Sequence, residues 1–276
     1  SPLIEPEYLT DAIAREAVAF INTNHKKPFF AYVPFNAVHT PIEATKKYQD
    51  RFPNESNQTK RDYYAMTSAL DDAVGSIVAA IDKHGLTDNT LVIFVNDNGG
   101  PTYTGVQSNG PLKLGKLFLF EGGIRVPMVF KLPGTFEPNT EYDEPTSTLD
   151  LFPTMCGLVG IELPAEINLD GVDLTPFIKG KISGLPHDTL FWSNGPNIAV
   201  RHGDWKLVKS YDSTWLFNLA SDIGESNNIA KSKPKIVEQL EALYHKWRSH
   251  MVEPAWPSKP NRRKVEVDGL QYEMNI

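Results

Sequence analysis

Leu91-Val-Ile-Phe-Val-Asn-Asp-Asn-Gly-Gly100 is the stretch on which the reading of this chain turns. Its apolar half is mostly β-branched or aromatic and does not alternate, the pattern of a parallel strand covered on both faces. The polar half then fits a loop at the carboxyl end of that strand, where open α/β sheets place their ligands. Asp97 and Asn98 are therefore candidate metal ligands. A carboxylate beside an amide carbonyl offers two hard oxygen donors, which suit Ca2+, with Mg2+ second, better than zinc, and the glycines permit a sharp turn. Asp-Asn-Gly also makes ordinary turns without a metal, since Asn and Asp tolerate left-handed backbone.

The 276 residues suffice for one large domain, or one domain with a small appendage. With 41% apolar and 22% charged residues the composition is that of a globular chain, and no apolar run nears the roughly 18 residues of a membrane-spanning helix. A net charge of −7 argues against nucleic-acid binding, which needs a broad basic face. It leaves room for an anionic small ligand held by local cations. The single Cys156 excludes an internal disulfide. Oligomeric state is left open.

Elements on either side of the central stretch follow from periodicity. Thr10 before Asp11-Ala-Ile-Ala-Arg-Glu-Ala-Val-Ala-Phe-Ile21 reads as a capped helix. Pro28-Phe-Phe-Ala-Tyr-Val-Pro-Phe35 reads as a second buried strand, which would deliver His39 to its carboxyl end. Met66, Leu70, Ala73, Val74, Ile77, Val78 and Ile81 trace a helical stripe that closes near Gly85. Strand, helix and strand predict a right-handed βαβ crossover, with His39 and Asp97 facing one cleft. A histidine after a strand is also commonly a hydrogen-bonded loop residue. Further on, Ile198–Val208 and Thr214–Leu219 predict a small antiparallel sheet. A helix from Pro234 to His250, with Ile236, Leu240, Leu243, Tyr244 and Trp247 on one face, would pack on it. Prolines make the tail from Glu253 to Pro260 an expected extended surface segment.

Three motifs then occur in order: Asp97-Asn-Gly-Gly100, Ser108-Asn-Gly-Pro-Leu-Lys-Leu-Gly-Lys116 and Phe120-Glu-Gly-Gly-Ile-Arg-Val-Pro127. Together they resemble the second half of a type I sulfatase, a formylglycine-dependent member of the alkaline phosphatase superfamily, and Ala37-Val-His-Thr-Pro41 is similar to its histidine segment. Thr148–Gly160 and Asp170-Gly-Val-Asp-Leu-Thr-Pro176 extend the likeness. The resemblance implies an α/β fold: part of an alkaline-phosphatase-like sandwich with a mixed, largely parallel sheet, plus a small carboxyl-terminal antiparallel sheet with a packed helix. It implies that residues 1–183 are the carboxyl-terminal part of the catalytic domain, and 184–276 a small α+β subdomain and tail. Asp97 and Asn98 match calcium ligands, His39 a sulfate-contacting histidine, and Lys116 a lysine on a sulfate oxygen. His39 and Lys116 are thus the expected catalytic residues. Lys113 stands where an arginine is common and reads as a structural contact, and Glu121 and Arg125 read as loop-holding charges. The family nucleophile is a formylglycine made in a Cys/Ser-x-Pro/Ala-x-Arg segment preceded by an Asp pair. That arrangement is absent from residues 1–276, and Cys156, in Met155-Cys-Gly-Leu-Val159, lacks the Pro and Arg. The chain is expected to be a carboxyl-terminal portion with half an active site, inactive alone, and the formylglycine is expected upstream.

The implied function is hydrolysis of a sulfate ester, with a sulfated small molecule or glycan as partner. Tyr103, Gln107, Ser108 and Asn109 after the metal loop, and Trp192, Asn194 and Asn197 later, mix polar and aromatic groups as a sugar site does, and make Gln107 and Asn109 expected substrate contacts. Two alternatives stand beside this: a related phosphodiesterase or phosphonate hydrolase, and a non-catalytic protein that binds a sulfated glycan. The family likeness implies a periplasmic, secreted or lysosome-like compartment.

Overall fold

The structure, a computed structural model, describes residues 7–164, 166–256, 259, 261–267 and 269–275. In chain order the elements are α1 (Leu9–Asn24), α2 (Lys46–Gln49), α3 (Gln58–Lys83), β1 (Val92–Val95), α4 (Glu121–Ile124), β2 (Met128–Lys131), α5 (Leu151–Leu158) and α6 (Thr175–Ile178). They continue with β3 (Thr189–Asn194), β4 (Asn197–His202), β5 (Trp205–Ser210), β6 (Ser213–Asn218), α7 (Pro234–Arg248), β7 (Arg262–Val267) and β8 (Leu270–Asn275). β1 pairs with β2, β3 to β6 form a four-stranded sheet in sequential order, and β7 pairs with β8. The chain divides into two compact units, residues 1–93 with 130–138, and residues 94–129 with 139–276.

In the first unit α1 packs along α3. Thr10 proves to lie inside α1, buried, with Tyr8 in the cap position and no side-chain cap bond. Asn57 caps α3 instead, its Oδ1 accepting from the Lys60 N–H at 3.0 Å, and the helix closes at His84 before Gly85 at φ 66°. Small residues Ala65, Ala69, Ala73 and Ala80 form much of the buried face of α3, where Tyr48 fills the space against Ala65 and Ala69. The Tyr48 hydroxyl donates to Asp11, which also pairs with Lys47 at 3.2 Å, tying α2 to α1.

One expected element is absent here. Residues 28–35 form no strand, and Phe30 and Tyr32 are 71% and 79% exposed. Unbroken apolar periodicity reports a tendency to be covered, whereas a strand also needs a ladder partner, and the described residues supply none at this stretch. What results is an apolar groove of about 540 Å³ between α1 and residues 30–34. With that strand missing the predicted βαβ crossover is not formed, and His39 and Asp97 belong to different units. β1 itself is half-buried along its length rather than fully covered.

The second unit is built on the four-stranded antiparallel sheet. Gly195, at φ 58°, and Pro196 close the β3–β4 hairpin as a glycine-first two-residue turn. Side chains alternate between faces. Val200, Leu207 and Leu216 point to α7, where Leu240 and Tyr244 cover them, as expected of the Pro234 helix. Ala199, Val208, Trp215 and Phe217 point the other way, onto Phe118 and Phe120. Burial of those two phenylalanines contributes about 1.5–3 kcal/mol each, so the loop before α4 is held to the sheet by its apolar residues. Asp150 is another anchor. Fully buried, it accepts from Ser147 N–H at 2.7 Å, Val172 N–H at 2.9 Å and His187 Nε2 at 2.7 Å, joining the entry of α5 to two later segments. Cys156 is buried in α5, as its apolar setting predicts. β7 and β8 were not anticipated. Trp256 in the tail is 92% exposed, while residues 257, 258 and 260 of the expected extended segment lie outside the described ones.

Candidate active site

Asp97 and Asn98 leave β1 side by side, and the Asn98 amide donates to Asp97 Oδ1 at 2.6 Å. Asp97 is exposed and Asn98 half-buried. The loop that follows returns to this corner. Asn109 uses all four positions of its amide: Oδ1 accepts from Gly100 N–H at 3.2 Å and Gln107 Nε2 at 3.0 Å, and Nδ2 donates to the carbonyls of Gly100 at 3.0 Å and Leu114 at 2.8 Å. Lys116 N–H adds a bond to Gly100 O at 3.2 Å, which ties the lysine directly to the Asp97–Gly100 loop. Leu114 at φ 57° and Leu117 at φ 83° flank this lysine in left-handed conformations, each at a cost of order 1–3 kcal/mol that the surrounding bonds offset.

Close backbone approach explains the glycines. Gly99 N–H donates to Gly123 O at 2.9 Å, and a Cβ on Gly99 would lie 1.7 Å from the Gly122 carbonyl oxygen. Gly122 N–H donates to Lys113 O at 2.9 Å, with the Lys113 and Leu114 oxygens each 2.4 Å from where its Cβ would stand. Only hydrogen fits between the Asp97–Gly100 loop, α4 and the Lys116 loop.

Behind α4 lies a buried ion cluster that sequence reasoning described only as loop-holding charge on Glu121. Lys206 Nζ, fully buried on the inner face of β5, donates to Glu121 Oε1 at 2.7 Å and stands 2.9 Å from Glu225 Oε1 as an ion pair without an aligned hydrogen bond. Glu225 Oε2 accepts from the Glu121 N–H at 2.7 Å. Burial pushes the Glu225 carboxyl up from its ordinary value, against the pull of Lys206 and of the Glu121 N–H. Burial likewise lowers the pKa of Arg201 near this cluster. The Glu225 loop is prefolded by Asp222, whose carboxylate accepts from Ser226 and Asn227 N–H at 2.9 Å each. The available signal was Lys206, in register with inward-facing Val208 of β5. Lys113, by contrast, places its Nζ 5.9 Å and 5.6 Å from the ring centres of Phe120 and Phe217, the structural contact expected of it.

In the first unit His39 is exposed. Its Nδ1 lies 2.8 Å from the Thr40 carbonyl, which can only accept, so Nδ1 carries a proton. The structure thus brings together Asp97, Asn98, Gln107, Asn109 and Lys116 in one unit, with His39 in the other. Trp192 and Asn197 depart from the sugar-site expectation: Trp192 packs against the core, and Asn197 is buried, accepting from Ser210. Asn194 remains exposed.

Asp97 and Asn98 fit a hard cation in donor type, and they supply part of the six to eight oxygens usual for Ca2+. Among the described residues no group of three or more His, Cys, Asp or Glu side chains converges on a metal position. One spelling in the chain needs correcting. Ser258-Lys-Pro-Asn-Arg262 does read Ser-x-Pro-x-Arg, but Glu253 is the only acidic residue among the ten before it, so no Asp pair accompanies it. Ser258 lies outside the described residues.

Comparison with known proteins agrees with the motifs. A family model described as Sulfatase matches residues 2–161, and one described as N-sulphoglucosamine sulphohydrolase, C-terminal, matches residues 113–250. A Formosa agariphila protein named Sulfatase is 34% identical over 263 residues, covering 83% of this chain and 47% of its own length. The Rattus norvegicus steryl-sulfatase is 37% identical over 193 residues, covering 66% of this chain and 32% of its own length. The chain therefore spans about half or less of the curated relatives it matches. Among solved structures, that of Ps i-CgsB superposes with a TM-score of 0.84 at 35% identity, covering 91% of this chain and 57% of its own. A second structure of Ps i-CgsB, in complex with k-i-k-neocarrahexaose, is 36% identical with the same TM-score of 0.84. The fold class is accordingly α/β of the alkaline-phosphatase-like kind, of which this chain holds a part. With more than half of its 276 residues matched by the family model, the chain belongs to the sulfatase family.

Proposed function

We propose that the protein to which this chain belongs hydrolyses a sulfate ester of a sulfated carbohydrate. The observation that carries the reading is the stitched corner in which Asn109 and the Gly99–Gly123 bond hold Asp97 and Asn98 beside the loop of Lys116. Support for a carbohydrate comes from the 36% identity to the structure solved with k-i-k-neocarrahexaose.

In this reading Asp97 and Asn98 would hold Ca2+, which would supply positive charge to the site. Lys116 stabilises negative charge on an oxygen near the bridging position, its backbone fixed by the bond to Gly100. His39 gives a proton to the departing alkoxide. Gln107 and Asn109 frame the sugar side, Asn109 by holding the loop. The formylglycine nucleophile belongs to the upstream segment. Residues 1–183 then belong to the catalytic domain and 184–276 to a small carboxyl-terminal subdomain. A polymeric sulfated partner places the protein in a periplasmic, secreted or lysosome-like compartment, and no described helix is long and apolar enough to cross a membrane. The net charge of −7 speaks against a nucleic-acid partner.

Lys116→Ala and His39→Ala in the full-length protein test these roles. Each is expected to lower kcat/KM on a sulfated oligosaccharide by about 10²-fold or more without changing Tm. Activity kept within about threefold of wild type in either variant removes that residue from the mechanism.

A further inference from the structure

We propose that Glu225, through the buried Lys206–Glu121–Glu225 cluster, is a positioning residue that sets the Asp97–Gly100 loop and the Lys116 loop in register. The inference rests on the sulfatase reading for its catalytic consequence, and on geometry for the positioning itself. Two bonds separate Glu225 from either half of the site. Its Oε2 holds the Glu121 N–H at 2.7 Å, and the turn that begins there donates from Gly122 to Lys113 O and accepts at Gly123 O from the Gly99 N–H, both at 2.9 Å. Gly99 follows Asp97 and Asn98 directly, and Lys113 lies three residues before Lys116.

Stability alone does not account for the cluster. Buried ions seldom stabilise a core better than apolar groups of the same volume, because desolvation offsets their attraction. A carboxylate adds direction, and here one oxygen engages a peptide N–H while the other faces Lys206. The carboxylate also reaches its target from a prefolded loop, with Glu225 itself at φ 52° and Asp222 bonded to Ser226 and Asn227. The sheet thereby fixes a turn that belongs to the site, across 104 residues of sequence.

Three variants of the full-length protein test this: Glu225→Ala removes the acceptor, Glu225→Asp keeps the charge but draws the oxygen back by one methylene, and Glu225→Gln keeps an oxygen at full reach. Kinetics on a sulfated oligosaccharide and hydrogen–deuterium exchange are measured together. For E225A and E225D, kcat is expected to fall about tenfold or more while KM stays within about threefold, since the loss is of geometry and not of substrate contact. In both, peptides covering residues 97–100 and 113–124 are expected to exchange about tenfold faster while those of residues 197–218 keep wild-type protection. E225Q keeps the acceptor for the Glu121 N–H but turns its amide NH2 toward Lys206, so it is expected to be impaired less than E225D in both measurements. Wild-type exchange in the two loops of E225D, exchange accelerated throughout the sheet, or E225Q as impaired as E225D would overturn the proposal. E225D stands in if E225A does not fold. The exchange arm judges the positioning even if the wild-type protein turns over no sulfate ester, so the two readings fail separately.

Discussion

At Gly99 a single hydrogen decides whether two loops can meet, because a methyl group there would stand 1.7 Å from the Gly122 carbonyl oxygen. Gly99→Ala is therefore expected to cost about 10²-fold in kcat/KM, the scale of an ångström's misplacement, while the protein still unfolds cooperatively. Wild-type kcat/KM in that variant would show that the approach of the loops does not matter. Sequence alone marked Asp97 and Asn98 as ligand types and the glycines as turn formers, but it assigned Asn109 to substrate without seeing its four loop bonds. Residue chemistry names what a side chain can do, and only its neighbours decide which capacity is already used. Glu225 shows the limit most clearly, since its meaning lies in a bond to Glu121 across 104 residues.

Among the elements, the antiparallel sheet and α7 were legible because their side-chain periods, two and 3.6, are written in adjacent residues. Residues 28–35 misled for the complementary reason: their apolar run is strand-like, yet ladder partners are not a local property. The buried cluster beneath α4 carries two predictions. Lys206→Met leaves two buried carboxylates without their cation and is expected to destabilise by about 3–5 kcal/mol, read from the denaturant midpoint at constant slope. An unchanged midpoint would contradict the pairing. Glu225 gives a pH signature. The groups that face its cluster are Lys206 from β5, Glu121 from α4, Arg125 just after it, and Arg201 from β4. Burial raises its folded-state pKa above the ordinary 4.5, so the native state holds a proton that the unfolded chain releases, and stability falls as pH rises from 4.5 through the raised value. Glu225→Gln lacks that titration. Its Tm relative to wild type is expected to climb as pH increases through the window, whereas a constant difference would show that Glu225 titrates normally.

For the molecule as a whole, motif order over residues 97–127 was enough to place the chain in its family, because backbone approach and ligand chemistry are both written into short segments there. The division into compact units was not legible: residues 94–129 group with the carboxyl-terminal sheet, held by Phe118, Phe120 and the Lys206 cluster. Those contacts join segments far apart in sequence, which composition and periodicity do not report. Sulfate-ester hydrolysis competes here with phosphodiester or phosphonate chemistry and with binding without turnover. The most direct measurement gives the full-length protein, loaded with Ca2+, a sulfated oligosaccharide, an aryl sulfate, a phosphodiester and a phosphonate ester side by side, and follows release of sulfate, phosphate monoester and phosphonate. Sulfate release is expected, with the highest kcat/KM on the sulfated oligosaccharide and loss of turnover in Asp97→Ala. Binding of that oligosaccharide with no sulfate released, or faster turnover of the phosphodiester or phosphonate ester, would contradict it.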